Sequence, residues 1–311
     1  MKQILVLTLS IFTLFGCESN GTIPLSVSSG NINNLSVVVD NDLWEGSIGE
    51  SIRNVIGAPL YGLPQDEPLF TMRQMPTVVF SDFARRNRTV LKIEKGKDAD
   101  TKFYENAFAK PQKMVVISGQ SNAEIIQQIQ DNSKKIISTF KLEEIKEKQR
   151  RFSKSLNKNN NLESNLGLTI NFPSAYRVAK EENNFFWLRR DIKTGTMNFL
   201  VYEVPLDEIR ENEEAINDVI TMRDSIGKVH IPGPLDGTYM ITEEAYTPFL
   251  SSTIIDNKPT FETRSTWEVK DAYMAGPFLN YVIKDEINLR YIIFEELTQG
   301  HTHLVVMCRQ D

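Results

Sequence analysis

The stretch Ala123-Glu-Ile-Ile-Gln-Gln-Ile-Gln-Asp-Asn-Ser-Lys-Lys-Ile-Ile-Ser-Thr-Phe-Lys-Leu-Glu-Glu-Ile-Lys-Glu-Lys-Gln-Arg-Arg-Phe-Ser-Lys-Ser-Leu156, followed by the asparagine-rich Asn157 to Asn165, organises everything on either side of it. Ile125, Ile126, Ile129, Ile136, Ile137, Phe140, Ile145 and Phe152 recur at helical spacing. Glu144/Lys148 and Glu147/Arg151 supply i,i+4 pairs on the outer side, so the pattern predicts one long helix. The polar run after it marks a border between two halves of comparable length, 35–157 and 158–311.

Working back from the helix, strands are expected at Lys113–Ile117, Thr89–Ile93, Leu69–Arg73 and Leu35–Val39. Between the last two, Asp42-Leu-Trp-Glu45 opens a helix with Trp44, Ile48, Ile52 and Val55 on one face, stopped by Gly57 and Pro59. Working forward, strands are expected at Leu168–Phe172, Asn184–Arg189 and Met197–Val204, then a helix from Asp207 to about Ser225 with Ile209, Ile216, Val219 and Ile220 toward the core. A meander completes the pattern at Thr238–Thr242, Thr260–Val269, Phe278–Lys284, Arg290–Glu296 and His303–Cys308. Strands, one long helix, then strands again argue for an α+β protein of two sandwich-like halves, each a mainly antiparallel sheet packed with a long helix.

The composition agrees with a globular chain: 311 residues, 41% hydrophobic and 24% charged, with a formal charge of −6. That balance excludes collagen, long disorder and broad electrostatic capture of nucleic acid. The N-terminus is distinctive. Lys2 precedes an apolar run from Ile4 to Phe15, which at about 1.5 Å per residue is too short to span a bilayer and fits a signal peptide, residues 1–16. It ends in Leu14-Phe-Gly-Cys17, which resembles a bacterial lipobox, so Cys17 is expected to carry the acyl chains that anchor the protein to the inner or outer membrane of a Gram-negative envelope. Residues 17–34, rich in Ser, Asn and Gly, are read as a flexible tether, and Cys308 as a small buried hydrophobe.

Several residues invite a chemical reading. Gly119-Gln120-Ser121-Asn122, between strand and helix, resembles the nucleophile block of carbohydrate-ester esterases, which makes an ester or glycan hydrolase using Ser121 the alternative function. Such esterases take their base from an Asp-x-x-His, and none of His230, His301 and His303 has that spacing, so Ser121 is read first as a helix N-cap and no catalytic residue is assigned. His301-Thr-His303 could begin a metal site, but no spacing picks out further ligands, and neither metal nor cofactor is expected. Glu181-Glu182, Glu243-Glu244 and Glu295-Glu296 cannot flank one bond, because adjacent strand residues point to opposite faces, and they are read as solvated surface. The candidate binding cleft is formed by Asp224, Glu262, Arg264 and Trp267: Glu262 and Arg264 share a strand face, and Arg264 could pair with Asp224 across the layer.

Leu60-Tyr-Gly-Leu-Pro64-Gln-Asp-Glu-Pro68-Leu-Phe70, Arg223-Asp224 through Pro232-Gly233, Tyr239-Met240, Glu262-Thr-Arg-Ser-Thr-Trp267 and Met274-Ala-Gly-Pro-Phe278 together resemble the Bacteroidetes lipoprotein family catalogued as domain of unknown function 4837, over nearly the whole mature chain. The resemblance implies a cell-envelope lipoprotein of no established activity, held to the membrane by its N-terminal lipid and engaging an unknown envelope protein or ligand. The second half, from Leu168-Thr-Ile-Asn-Phe-Pro173, is also similar to the α/β/α sandwich of photosystem oxygen-evolving-subunit-like proteins, a likeness of fold alone. The reading that follows is a non-catalytic binding or structural module.

Overall fold

The structure is a computed structural model and describes residues 24–63, 66–158, 161–193 and 195–299. Cys17, the leader, the start of the tether, His301, His303 and the strand expected at His303–Cys308 lie outside the described residues.

The protein is α+β, built on two main sheets. In the first half, β1 (Ser26–Val27) and β2 (Asn34–Val38) lead into helices α1 (Asn41–Glu45) and α2 (Ser47–Val55), and β3 (Thr71–Met75) follows. Two 3-10 turns, Thr77–Val79 and Ala84–Arg86, precede β4 (Thr89–Lys95), β5 (Asp100–Glu105), β6 (Ala109–Lys110) and β7 (Lys113–Gly119). Helices α3 (Asn122–Asp131) and α4 (Ser133–Phe152) close this half.

The sheet order is β3-β2-β4-β7-β5, with β3, β2, β4 and β7 mutually parallel and only β5 antiparallel. This corrects the expectation of a mainly antiparallel first sheet. A helix between two strands supplies the crossover that parallel pairing needs, and α1 and α2 stand in that position between β2 and β3. Leu35, Val37, Leu91, Ile93, Val115 and Ile117 project from the sheet onto Ile48 and Ile52 of α2, Ile125 and Ile129 of α3, and Ile136 and Phe140 of α4. Val38, Val90 and Met114 point the other way and are covered by Phe80.

The long helix is two helices. Asn132 (φ −102°, ψ 4°) leaves the helical path, its side chain donating to the Gln128 carbonyl at 2.9 Å. The two acidic residues expected on the outer side, Glu144 and Glu147, are inside, and Glu143 is buried with them. Glu144 accepts from Arg88 Nε and Nη2, both at 2.9 Å, and from the Asn33 amide at 2.7 Å. Arg88 in turn donates to the carbonyls of Gly30 and Asn31, at 3.2 and 2.9 Å. Together with the pairing of β1 to β6, this docks the chain from Ser26 onward, so residues 26–34 are part of the fold rather than of a tether.

The second half holds α5 (Asn161–Leu166), β8 (Arg177–Glu182), β9 (Phe185–Ile192), β10 (Gly195–Pro205), α6 (Ala215–His230), β11 (Met240–Thr242), β12 (Phe249–Ile255), β13 (Lys258–Val269), β14 (Ala275–Asp285) and β15 (Arg290–Thr298). These strands form an antiparallel sheet in the order β11-β13-β14-β15-β10-β9-β8, with β12 also paired to β13. Leu168–Phe172 is not a strand. The helix starts at Ala215 rather than Asp207: residues 206–214 form turns that seat Ile209 in the core, and Glu211 pairs with Lys284 at 2.7 Å. Its buried stripe is therefore Ala215, Val219 and Met222. At Gly227 the helix backbone meets β11 so closely that a Cβ would stand 2.1 Å from the Met240 carbonyl oxygen.

Alternation along the strands gives this sheet two dissimilar faces. One carries Leu200, Tyr202, Trp267, Phe278, Val282 and Ile293 and packs on α6. The opposite face is covered partly by Leu162 and Leu166 of α5 with Phe172 and Tyr176, and partly by the first half: Leu60 and Leu63 pack with Leu279, Tyr281, Ile283 and Ile292. Tyr246 Oη donates to the Leu63 carbonyl at 2.6 Å. Gly62 adopts φ +86°, and a Cβ there would stand 2.7 Å from Phe249 Cβ, so this contact depends on glycine.

Candidate functional site

The four residues of the expected cleft divide between the two faces of the second sheet. Glu262 and Arg264 do share a face and form an ion pair, and Arg264 Nη1 donates to the Tyr61 carbonyl at 3.4 Å in the contact with the first half. Trp267 lies on the α6 face, buried in the core, with Nε1 donating to the Thr298 carbonyl at 3.3 Å. Asp224 accepts from the Thr242 amide at 2.7 Å and from the Thr242 hydroxyl at 2.9 Å. It thereby fixes β11 to α6, and it does not meet Arg264. Three odd-numbered steps from Arg264 to Trp267 reverse the side-chain direction, so the indole could not share the acid–base face.

The neighbour of Asp224 is the more consequential residue. Arg223 is 0% exposed and forms a bidentate pair with Glu295, itself 1% exposed: Nε donates to Oε2 at 3.0 Å and Nη2 to Oε1 at 2.6 Å. Nη1 reaches the Thr242 hydroxyl, the guanidinium carbon lies 3.5 Å from the Phe278 ring centroid, and Asn280 Nδ2 donates to Glu295 Oε2 at 2.8 Å. Each nitrogen of the guanidinium and each oxygen of the carboxylate makes a hydrogen bond, and the pair is sealed from solvent. This is a core device, and the reading of Glu295-Glu296 as solvated surface is overturned. The side chains do point to opposite faces. Glu296 is buried on the far side, where burial raises its pKa to about 7 against the opposing pull of Lys148 and Arg190.

Ser121 stands at the N-cap of α3. Its Oγ accepts from the Glu124 amide at 3.3 Å, while the Glu124 carboxylate accepts from the Gln120 amide at 2.9 Å. Among the described residues no three His, Cys, Asp or Glu side chains gather as metal ligands, and no helix is long and apolar enough to cross a membrane.

An open concavity lies elsewhere, at the C-terminal end of α6, where the turn before β11 approaches the edge strand β8. It is a groove of about 510 Å³, and Lys180, Trp187, Lys228, His230 and Tyr239 are prominent in its wall. His230 stacks on Phe185, ring centroids 4.1 Å apart. Its Nδ1 is 3.1 Å from Lys180 Nζ and 3.3 Å from a Glu182 carboxylate oxygen. Burial, and secondarily Lys180, hold its pKa below the ordinary imidazole value. Trp187 is fixed by donating Nε1 to Asn198 Oδ1 at 3.0 Å. Lys228 and Lys270 approach the Tyr239 ring from two different elements, at 5.9 and 5.8 Å from its centroid. In the sequence this stretch stands out only as one of the family-resemblance motifs, Arg223-Asp224 through Pro232-Gly233. The contributions of Lys180 and Trp187, fifty residues upstream of it, could be found only through the pairing of β8 with β9.

An α+β chain with a buried ion pair in its core and an open aromatic groove among the described residues is the class these features define. Residues 155–299 match the model of a domain of unknown function (DUF4837), and residues 28–153 match that of another domain of unknown function (DUF8532). The resemblance to the former thus holds for the second half, and Leu60–Phe70, which also suggested it, falls within the other match. No curated protein matches the chain.

Proposed function

We propose that this chain is a lipid-anchored cell-envelope protein that binds a partner and does not transform it. The observation that carries the reading is the use made of Ser121: its hydroxyl serves as a helix cap, accepting from the Glu124 amide, while the Glu124 carboxylate accepts from the Gln120 amide. A nucleophilic serine needs a base within hydrogen-bond reach. The one described histidine, His230, is instead stacked on Phe185 and held between Lys180 and Glu182. The Leu14-Phe-Gly-Cys17 sequence supports the anchor, and the acidic charge of −6 leaves membrane residence to the lipid.

Two measurements test this. Cys17→Ala should abolish incorporation of a labelled fatty acid in cells, and retained labelling would overturn the anchor. The purified protein should remain unlabelled by a fluorophosphonate, whereas labelling lost on Ser121→Ala would establish the hydrolase in place of the binding module.

A further inference from the structure

We infer that the groove at the end of α6 is a binding site for a carboxylated glycan segment, an inference that rests on the reading of the chain as a binding module. Lys228 and Lys270 converge on one tyrosine ring, and neither has a carboxylate partner among the described residues. Ammonium groups without a counter-charge at the mouth of a groove attract an anionic ligand. Of the two lysines that line the groove, Lys180 is offset by Glu182 at 3.1 Å and Lys228 is not, so the balance of the lining is positive, with Lys270 beside Tyr239 just outside it. The partial negative charge at the helix C-terminus, about half an elementary charge, reduces that balance without reversing it.

The walls specify the rest of the ligand. Trp187 and Tyr239 offer aromatic surface to the apolar faces of pyranose rings, and the indole is held in place by Asn198. A groove of about 510 Å³ is in the range of small-molecule sites. It is open to solvent, which suits a stretch of a chain better than an enclosed metabolite. A peptide adding as a strand is disfavoured by the adjacent edge. β8 shifts register between Val178 and Lys180 and carries Arg177, Lys180, Glu181 and Glu182, which are common protections against strand pairing.

Trigalacturonate is a suitable probe, with maltotriose as its uncharged counterpart, each titrated into the full chain by calorimetry and by tryptophan fluorescence. Trigalacturonate should bind and maltotriose should bind at least about tenfold more weakly, the loss expected for removing charge-assisted contacts. The double variant Lys228→Gln/Lys270→Gln, which alters only exposed ammonium groups, should weaken trigalacturonate by about tenfold or more with an unchanged circular dichroism spectrum. Tyr239→Leu should weaken both sugars. The proposal is overturned by an absence of trigalacturonate binding at about 10 mM, by equal binding of the two sugars, or by unchanged affinity in the double variant. These failures differ from failure of the binding-module reading, which fluorophosphonate labelling of Ser121 would overturn whatever trigalacturonate does.

Discussion

Replacing Glu295 by alanine should be among the most destabilising single changes in the second half. Glu295 accepts two hydrogen bonds from Arg223 and one from Asn280, and both members of the ion pair are sealed from solvent. Removing the carboxylate leaves a guanidinium buried without a counter-charge, with the Thr242 hydroxyl and the Phe278 ring as its remaining favourable contacts. A broken buried pair costs about 3–5 kcal/mol. With a urea m-value of about 2 kcal/mol/M, the denaturation midpoint should fall by roughly 2 M. The double variant Arg223→Met/Glu295→Leu removes both charges and keeps much of the volume, so it should recover most of the loss and lie within about 1–2 kcal/mol of the parent. Urea titrations of the parent and of the single and double variants test this. A cost below about 1 kcal/mol for Glu295→Ala, or a double variant less stable than the single, would refute the account of the pair as a desolvated, mutually dependent unit.

Gly227→Ala should destabilise by about 1–3 kcal/mol in thermal or urea unfolding even though alanine is the better helix former, because its methyl group would meet the Met240 carbonyl oxygen at 2.1 Å. Ser121→Ala should cost about 1 kcal/mol, the ordinary value of an N-cap, measured by the same titration. For Glu296, whose pKa burial raises from 4.5 to about 7, the folded state holds a proton that the unfolded state releases. Its contribution is complete below pH 4.5 and is lost as pH rises toward 7, so Glu296→Gln should flatten the fall in urea midpoint across that window. Lys141, donating to the Leu69 carbonyl at 2.8 Å, has its pKa lowered by burial from 10.5 to about 8. Its contribution is present above pH 10.5 and lost as pH falls through 8, and Lys141→Met should remove that dependence in midpoints measured at pH 8 and 10.

The α+β class and most of the central strands were legible because alternation and helical spacing are local properties of sequence. The parallel direction of β2, β3, β4 and β7 was not, although the helix from Asn41 to Val55 between two strands was the signal for it. Residue type misled in two places. Glu144 and Glu147 were placed outside because carboxylates usually are, yet the binding of Arg88 and its neighbours to them makes their burial tolerable. Glu295 was dismissed for the same reason, and its partner, Arg223, is far away in sequence. The candidate cleft failed on parity: Glu262 and Arg264 are two residues apart and stay together, while Trp267 is three beyond Arg264 and faces the other way. The groove at His230 escaped notice because its walls come from β8, β9, α6 and the turn before β11, a meeting that the topology creates and no local pattern announces.

The seat of Leu60 and Leu63 on the second sheet bears on how this chain could have been assembled. The two segments that match different family models meet between residues 153 and 155. Yet Leu63 alone places a side chain worth about 1.5–3 kcal/mol of burial on the far side of that border. Gly62 and Arg264 are fitted to each other across it as well, so a substitution on one side changes what is permitted on the other. In this chain the two matched segments therefore depend on each other: withdrawing Leu60 and Leu63 would expose Leu279, Tyr281 and Ile283 to water.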